Sequence, residues 1–135
     1  MNHNVEMVVY MIISGLLSSM YIWSDKLSDV RISLNDAYMI SLMTGWMLLF
    51  MNMNSSILMS IVSVVIISLS FIAIRKQYGI NKKQFFTGMI PHHSMAIHMS
   101  RQLLDKKVNM SDTERELLES IIKTQEKEIE LMKQL

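Results

Sequence analysis

Residues 57–74 read ILMSIVSVVIISLSFIAI, a run without a charge, a glycine or a proline. At 1.5 Å rise per residue a helix of that length covers about 27 Å, close to the roughly 30 Å of a bilayer's hydrocarbon core. Its scattered serines are no obstacle, because each hydroxyl can return to a carbonyl of its own helix. Two other apolar runs lie upstream, and the pattern predicts three transmembrane helices over residues 5–23, 37–53 and 55–74. The first has Glu6 near its entrance, Trp23 at its exit, and the pairs Ser14/Ser18 and Gly15/Ser19 at the four-residue spacing that lets helices approach closely. The second is short, with Gly45 and Trp46 near its middle, and reads as a tilted or partly interfacial helix. A soluble core made of such runs would need a larger protein around it than this chain supplies. A cleaved signal peptide does not fit either: MNHNVE has no basic n-region, and no small-residue cleavage site follows the first run.

The remainder of the chain differs in kind. Residues 1–74 hold six charges, whereas residues 75–135 hold eleven Lys or Arg and eight Asp or Glu. The expected organisation is therefore a membrane domain over 1–74, a linker over 75–80 and a second domain over 81–135. With a net charge of +1 and basic residues interleaved with acidic ones, the chain carries no electrostatic footprint for nucleic acid. It has no cysteine, which excludes disulfides and thiolate sites. Arg75, Lys76, Lys82 and Lys83 follow the third run, and Lys26 and Arg31 follow the first. The positive-inside rule then expects the N-terminus outside and the C-terminal domain inside.

Two capping signatures organise residues 81–135. Asn81 with Gln84 starts one helix, from about Lys82 to Lys106, and Ser111 with Glu114 starts another, from about Asp112 onward. A polar turn joins them into an antiparallel hairpin. Pro91 lies inside the first helix, where it removes a backbone hydrogen bond and is expected to introduce a kink beside Gly88.

Around that proline stands MIPHHSMAIHM, residues 89–99, with three histidines and three thioethers. Imidazole nitrogen and methionine sulfur suit copper, above all monovalent copper or silver. At about 100° per residue, Met89, His92, His93, Ala96 and Met99 fall within an arc of roughly 120°. Met95 lies at its edge, while His98 points the other way and reads as a polar-face residue. The second helix carries an apolar stripe of Leu117, Leu118, Ile121, Ile122, Ile129, Met132 and Leu135. Gln125 and Glu128 sit within it. A carboxylate at a core position must find a partner or remain costly. Antiparallel pairing sets His92 and His93 against Gln125 and Glu128, and Met89 near Ile129 and Met132. Glu128 then either ligates metal or orients a ligating histidine, with Gln125 in the same orienting role. A purely structural His–Glu network and methionines that only pack are the competing readings of the same residues.

FFTGMIPHHSMAIHMS and IIKTQEKEIELMKQL resemble the family called domain of unknown function 305 over about residues 81–135. That family shares Phe, Met-Ile-x-His-His, a following Ala-Ile and Met, then Ile-Ile, Gln, Glu-Ile, Met and a terminal Leu. The resemblance implies a ferritin-like helical bundle and, for some members, copper or silver binding. Matched position by position, it carries Met89, His92, His93, Ala96, Met99, Gln125, Glu128 and Met132. Ser100 stands where alanine is usual, and His98 lies outside the pattern.

The expected fold is thus all-α: three N-terminal transmembrane helices, then a hairpin forming half of a ferritin-like four-helix bundle. The expected function is a membrane-anchored metal-binding protein that captures or buffers copper (Cu⁺) or silver by coordination rather than catalysis. His92 and His93 are the expected primary ligands, with Met89, Met99 or Met132 supplementary and Glu128 and Gln125 supporting. Its expected partners are the lipid bilayer, a metal ion and a second copy, since a short hairpin cannot bury both sides of its seam. The alternative is a membrane scaffold or oligomerisation module with a structural His, Gln and Glu network. A di-iron oxidase is excluded because its Glu-x-x-His pairs are absent. Transport has no charged path through the runs.

Overall fold

The computed structural model describes residues 3–106 and 108–135. Within them the protein is all-helical: α1 His3–Leu17, α2 Leu34–Asn52, α3 Ile57–Lys76, α4 Lys82–Asp105 and α5 Asp112–Gln134, with 3₁₀ turns at Met20–Trp23 and Leu27–Asp29. Met1, Asn2 and Lys107, the last within the turn expected between the final two helices, lie outside the described residues.

The chain forms two compact units. One holds the chain up to Ser19 together with Leu34–Ile80; the other holds Met20–Ser33 together with Asn81–Leu135. The first unit contains α1, α2 and α3. Gly15 fits against Ile40, since a Cβ there would lie 3.1 Å from the Ile40 side chain. Gly45 is tighter still: a Cβ would come within 2.9 Å of Ile67 Cγ1 and 3.3 Å of the Ile67 backbone nitrogen. These small residues let α1 approach α2 and α2 approach α3. Polar side chains in the apolar helices are satisfied locally, as expected. Ser63 Oγ donates to the Met59 carbonyl at 2.7 Å and Thr44 Oγ1 to the Ile40 carbonyl at 2.8 Å, while Ser70 Oγ donates across helices to Ser41 Oγ at 2.9 Å.

The expectation of three membrane spans is corrected here. Among the described residues, one helix, Ile57–Lys76, is long and apolar enough to cross a bilayer. The first run breaks at Leu17 and resumes as a 3₁₀ turn, leaving a 15-residue helix of about 22 Å. The second is 19 residues long, but Asn35, Asp36, Tyr38 and Asn52 lower its hydropathy. A multi-pass arrangement therefore lacks two of its three expected spans. Most side chains of α3 are exposed, Ile57 at 83% and Leu69 at 63%, so it is not the core helix of this unit.

The second unit is the hairpin of α4 and α5, and both helices begin where the caps require. The Asn81 side chain accepts from the Gln84 backbone N–H at 2.9 Å. Ser111 and Glu114 form the full reciprocal capping box. Helix α4 continues through Pro91. The seam is closed by Ile90, Ile97 and Ile129, with Ile122 and Met132 packed against them. The segment Met20–Ser33 joins this unit rather than the helices that flank it in sequence. It comes close to α4 at Gly88, where a Cβ would lie 3.0 Å from Ser33 Oγ.

Candidate functional site

Two consecutive histidines on a helix diverge by about 100°, and α4 seats His93 at the seam while His92 remains exposed. Across the seam, one turn before Met132 on α5, Glu128 brings its Oε2 to 3.0 Å from His93 Nδ1. The carboxylate lies off the line of the ring N–H, so the contact is an ion-pair approach and Nδ1 has no aligned hydrogen bond. Gln125 Oε1, one turn earlier on α5, is likewise buried without a hydrogen-bond partner. Neither atom has an aligned hydrogen-bond partner within the hairpin.

Burial lowers the His93 pKa from its ordinary value; the neighbouring Glu128 charge works against this and His92 adds to it. The neutral imidazole that results is the form that ligates metal. The His92 and His93 ring centroids are 6.3 Å apart with planes tilted by 60°. Two imidazoles bonded at about 2.0–2.1 Å to one ion hold their centroids at most roughly 6 Å apart.

The thioethers are less gathered. Met132 packs on the isoleucine cluster, Met89 is half-buried, and Met99 is 53% exposed. Met95 and His98 are both half-buried. Thus His93, Glu128 and Gln125 stand on the facing sides of the hairpin, Met132 lies in its packed seam, and His92 and Met99 face outward. Among the described residues, no three His, Asp or Glu side chains are assembled in metal-holding geometry. What one hairpin offers is two imidazoles, a supporting carboxylate and amide, and thioethers nearby.

A second polar cluster was not visible in the sequence. Asp29, 2% exposed, accepts from Ser94 Oγ at 2.8 Å and pairs with Lys133 Nζ at 2.8 Å. Ser94 Oγ in turn accepts from the Asp25 backbone N–H at 2.9 Å, and Arg101 pairs with both Asp25 and Glu126. Burial works to raise the Asp29 pKa, yet the Lys133 and Ser94 hydrogen bonds and the Lys133 charge outweigh it and hold the carboxyl below its ordinary value. Lys133 is raised, chiefly by its bond to Asp29. These contacts fasten Met20–Ser33 to both helices and so fix the frame in which His93 meets Glu128. One signal was available: Ser94 lies on the face that carries Ile90 and Ile97, a polar residue at a core position just as Glu128 is on α5.

The chain belongs to the family described as Domain of unknown function (DUF305), which matches residues 75–135. It is also 37% identical over 132 residues to an uncharacterized protein of Acanthamoeba polyphaga mimivirus, covering 93% of this chain and 86% of that relative. The second likeness reaches into the apolar half, beyond the residues the family covers. No solved structure matches the chain.

Proposed function

We propose that this protein is a membrane-attached metal-binding protein that captures or buffers monovalent copper or silver, with α3 as its anchor and the hairpin as its site. The observation that carries the reading is the half-buried His93 held 3.0 Å from Glu128 across the seam, the kind of carboxylate contact that orients a ligating imidazole. In this reading Glu128 turns to accept a hydrogen bond from Nδ1–H of His93, which leaves Nε2 as the donor nitrogen and fixes the tautomer. His92 supplies the second nitrogen, and Met89 or Met132 a soft sulfur. Met99, more exposed, serves at most as an entry ligand. The chemistry is coordination, so no substrate bond is broken.

Membrane attachment is supported by the exposed apolar surface of α3, which water would not tolerate over twenty residues. The basic residues after it, Arg75, Lys76, Lys82 and Lys83, favour a hairpin on the cytoplasmic side. Exposed Phe85, Leu103, Leu117 and Leu131 on the hairpin leave apolar surface for a second copy, and two hairpins complete a four-helix bundle.

Competition of the detergent-solubilised full chain with a chromophoric copper(I) chelator tests this. The chain is expected to withdraw copper(I) stoichiometrically, and a His92→Ala/His93→Ala variant to lose at least tenfold in affinity. Equal binding by both proteins rejects the site and leaves the scaffold reading, in which the His, Gln and Glu network only fixes helix register.

A further inference from the structure

At the end of the hairpin seam, beyond His93 and Glu128, the start of α4 and the end of α5 flank a recess of about 760 Å³ that is also lined by Arg31. Four of its lining residues are cationic, Arg31, Lys82, Lys83 and Lys133, and none is acidic. Their states differ. Lys133 is held by Asp29 at 2.8 Å and Glu130 at 3.2 Å. Arg31 is anchored by its Nη1, which donates to the Ser28 and Val30 carbonyls at 2.9 and 2.8 Å; this orients the guanidinium without neutralising it. Among the described residues, Lys82 and Lys83 are paired with no carboxylate. Both occupy the first turn of α4, where a helix ordinarily favours acids; no acid stands there. Cations at that end repel the helix dipole slightly, and an anion bound between them would relieve that repulsion.

Apart from Thr87, the rest of the lining is apolar: Phe86, Ile90, Met132 and Leu135. A recess whose lining combines cations with apolar side chains suits a ligand that is anionic at one end and hydrocarbon at the other. The chain itself supplies the setting, because six positions separate Lys82 from Lys76, the last residue of the apolar helix. A connection of at most about 22 Å keeps the recess within reach of a membrane surface. We propose that this recess binds the phosphate headgroup of an anionic lipid, with Arg31, Lys82 and Lys83 on the phosphate and the start of an acyl chain along Phe86, Ile90 and Met132. The inference rests on membrane attachment but not on metal binding. A test in detergent solution, where anchoring plays no part, separates its failure from failure of the proposed function.

The full chain in dodecyl maltoside is titrated with dioleoylphosphatidylglycerol or dioleoylphosphatidylcholine and followed by native mass spectrometry, with inorganic phosphate as competitor. One phosphatidylglycerol per chain is expected, retained at least tenfold better than phosphatidylcholine. Lys82→Gln/Lys83→Gln should weaken it about thirtyfold, from about 1 kcal/mol per basic side chain near a lipid surface. Lys123→Gln/Lys127→Gln, which removes the same charge from α5 outside the recess, should leave it unchanged. Far-UV circular dichroism confirms that both variants remain helical. Equal retention of the two lipids, or an unchanged preference after Lys82→Gln/Lys83→Gln, overturns the proposal. Complete displacement of phosphatidylglycerol by an equal concentration of inorganic phosphate also overturns it, since the ligand would then be the free anion.

Discussion

His93 and Asp29 are the two side chains on which the hairpin's polar chemistry turns, and they are held differently. His93 meets one carboxylate at 3.0 Å without an aligned hydrogen bond, whereas Asp29 is saturated by Ser94 and Lys133. The first is the group on which the proposed metal site rests and the second is structural. Glu128→Gln keeps the shape but removes the charge that supports His93, so copper(I) affinity should fall about 10–100-fold while the melting temperature barely moves. An unchanged dissociation constant in the same chelator competition would show that Glu128 supports nothing. Asp29→Asn should cost about 1–3 kcal/mol at neutral pH, because it leaves Lys133 without its buried partner. The Asp29 pKa lies below its ordinary 3.8, so its contribution is complete above that value and is lost as pH falls through the native pKa. Thermal melts of wild type and Asp29→Asn should therefore differ at pH 7 and converge in strong acid; a constant gap would contradict this role.

At the scale of elements, close approach matters more than hydropathy. Gly45 admits α3 so closely that a methyl group there would meet both the Ile67 side chain and its backbone nitrogen. Gly45→Ala should accordingly lower stability by about 1–3 kcal/mol, read as a lower thermal midpoint of the detergent-solubilised chain. The hairpin was legible in the sequence because its signals are local: Asn81 and Ser111 cap α4 and α5 as their side chains require, and Glu128 interrupts an apolar stripe where only a partner justifies it. The break of the first apolar run after Leu17 was not legible, since hydropathy counts apolar residues and does not see where a helix stops. Nor was the docking of Met20–Ser33 on the hairpin, which depends on Asp29 meeting a serine 65 positions away. No local pattern encodes a contact of that span.

For the whole molecule, the family likeness covers the hairpin and the viral relative covers nearly the entire chain, so the apolar half and the site half occur together in that relative as well. A single hairpin leaves Phe85, Leu103, Leu117 and Leu131 exposed, and among the described residues no three His, Asp or Glu side chains are grouped. The exposed apolar residues are the surface that the proposed second copy would cover. Cross-linking of intact membranes should recover dimers, and recovery of monomers alone would contradict the bundle. The central claim is that the histidine pair holds a soft metal, and element analysis addresses it most directly. Protein purified from membranes of copper-supplemented cells should carry copper in a fixed ratio to chain, and the His92→Ala/His93→Ala variant prepared in parallel should carry almost none. Equal copper in the two preparations, or none in either, would contradict the account.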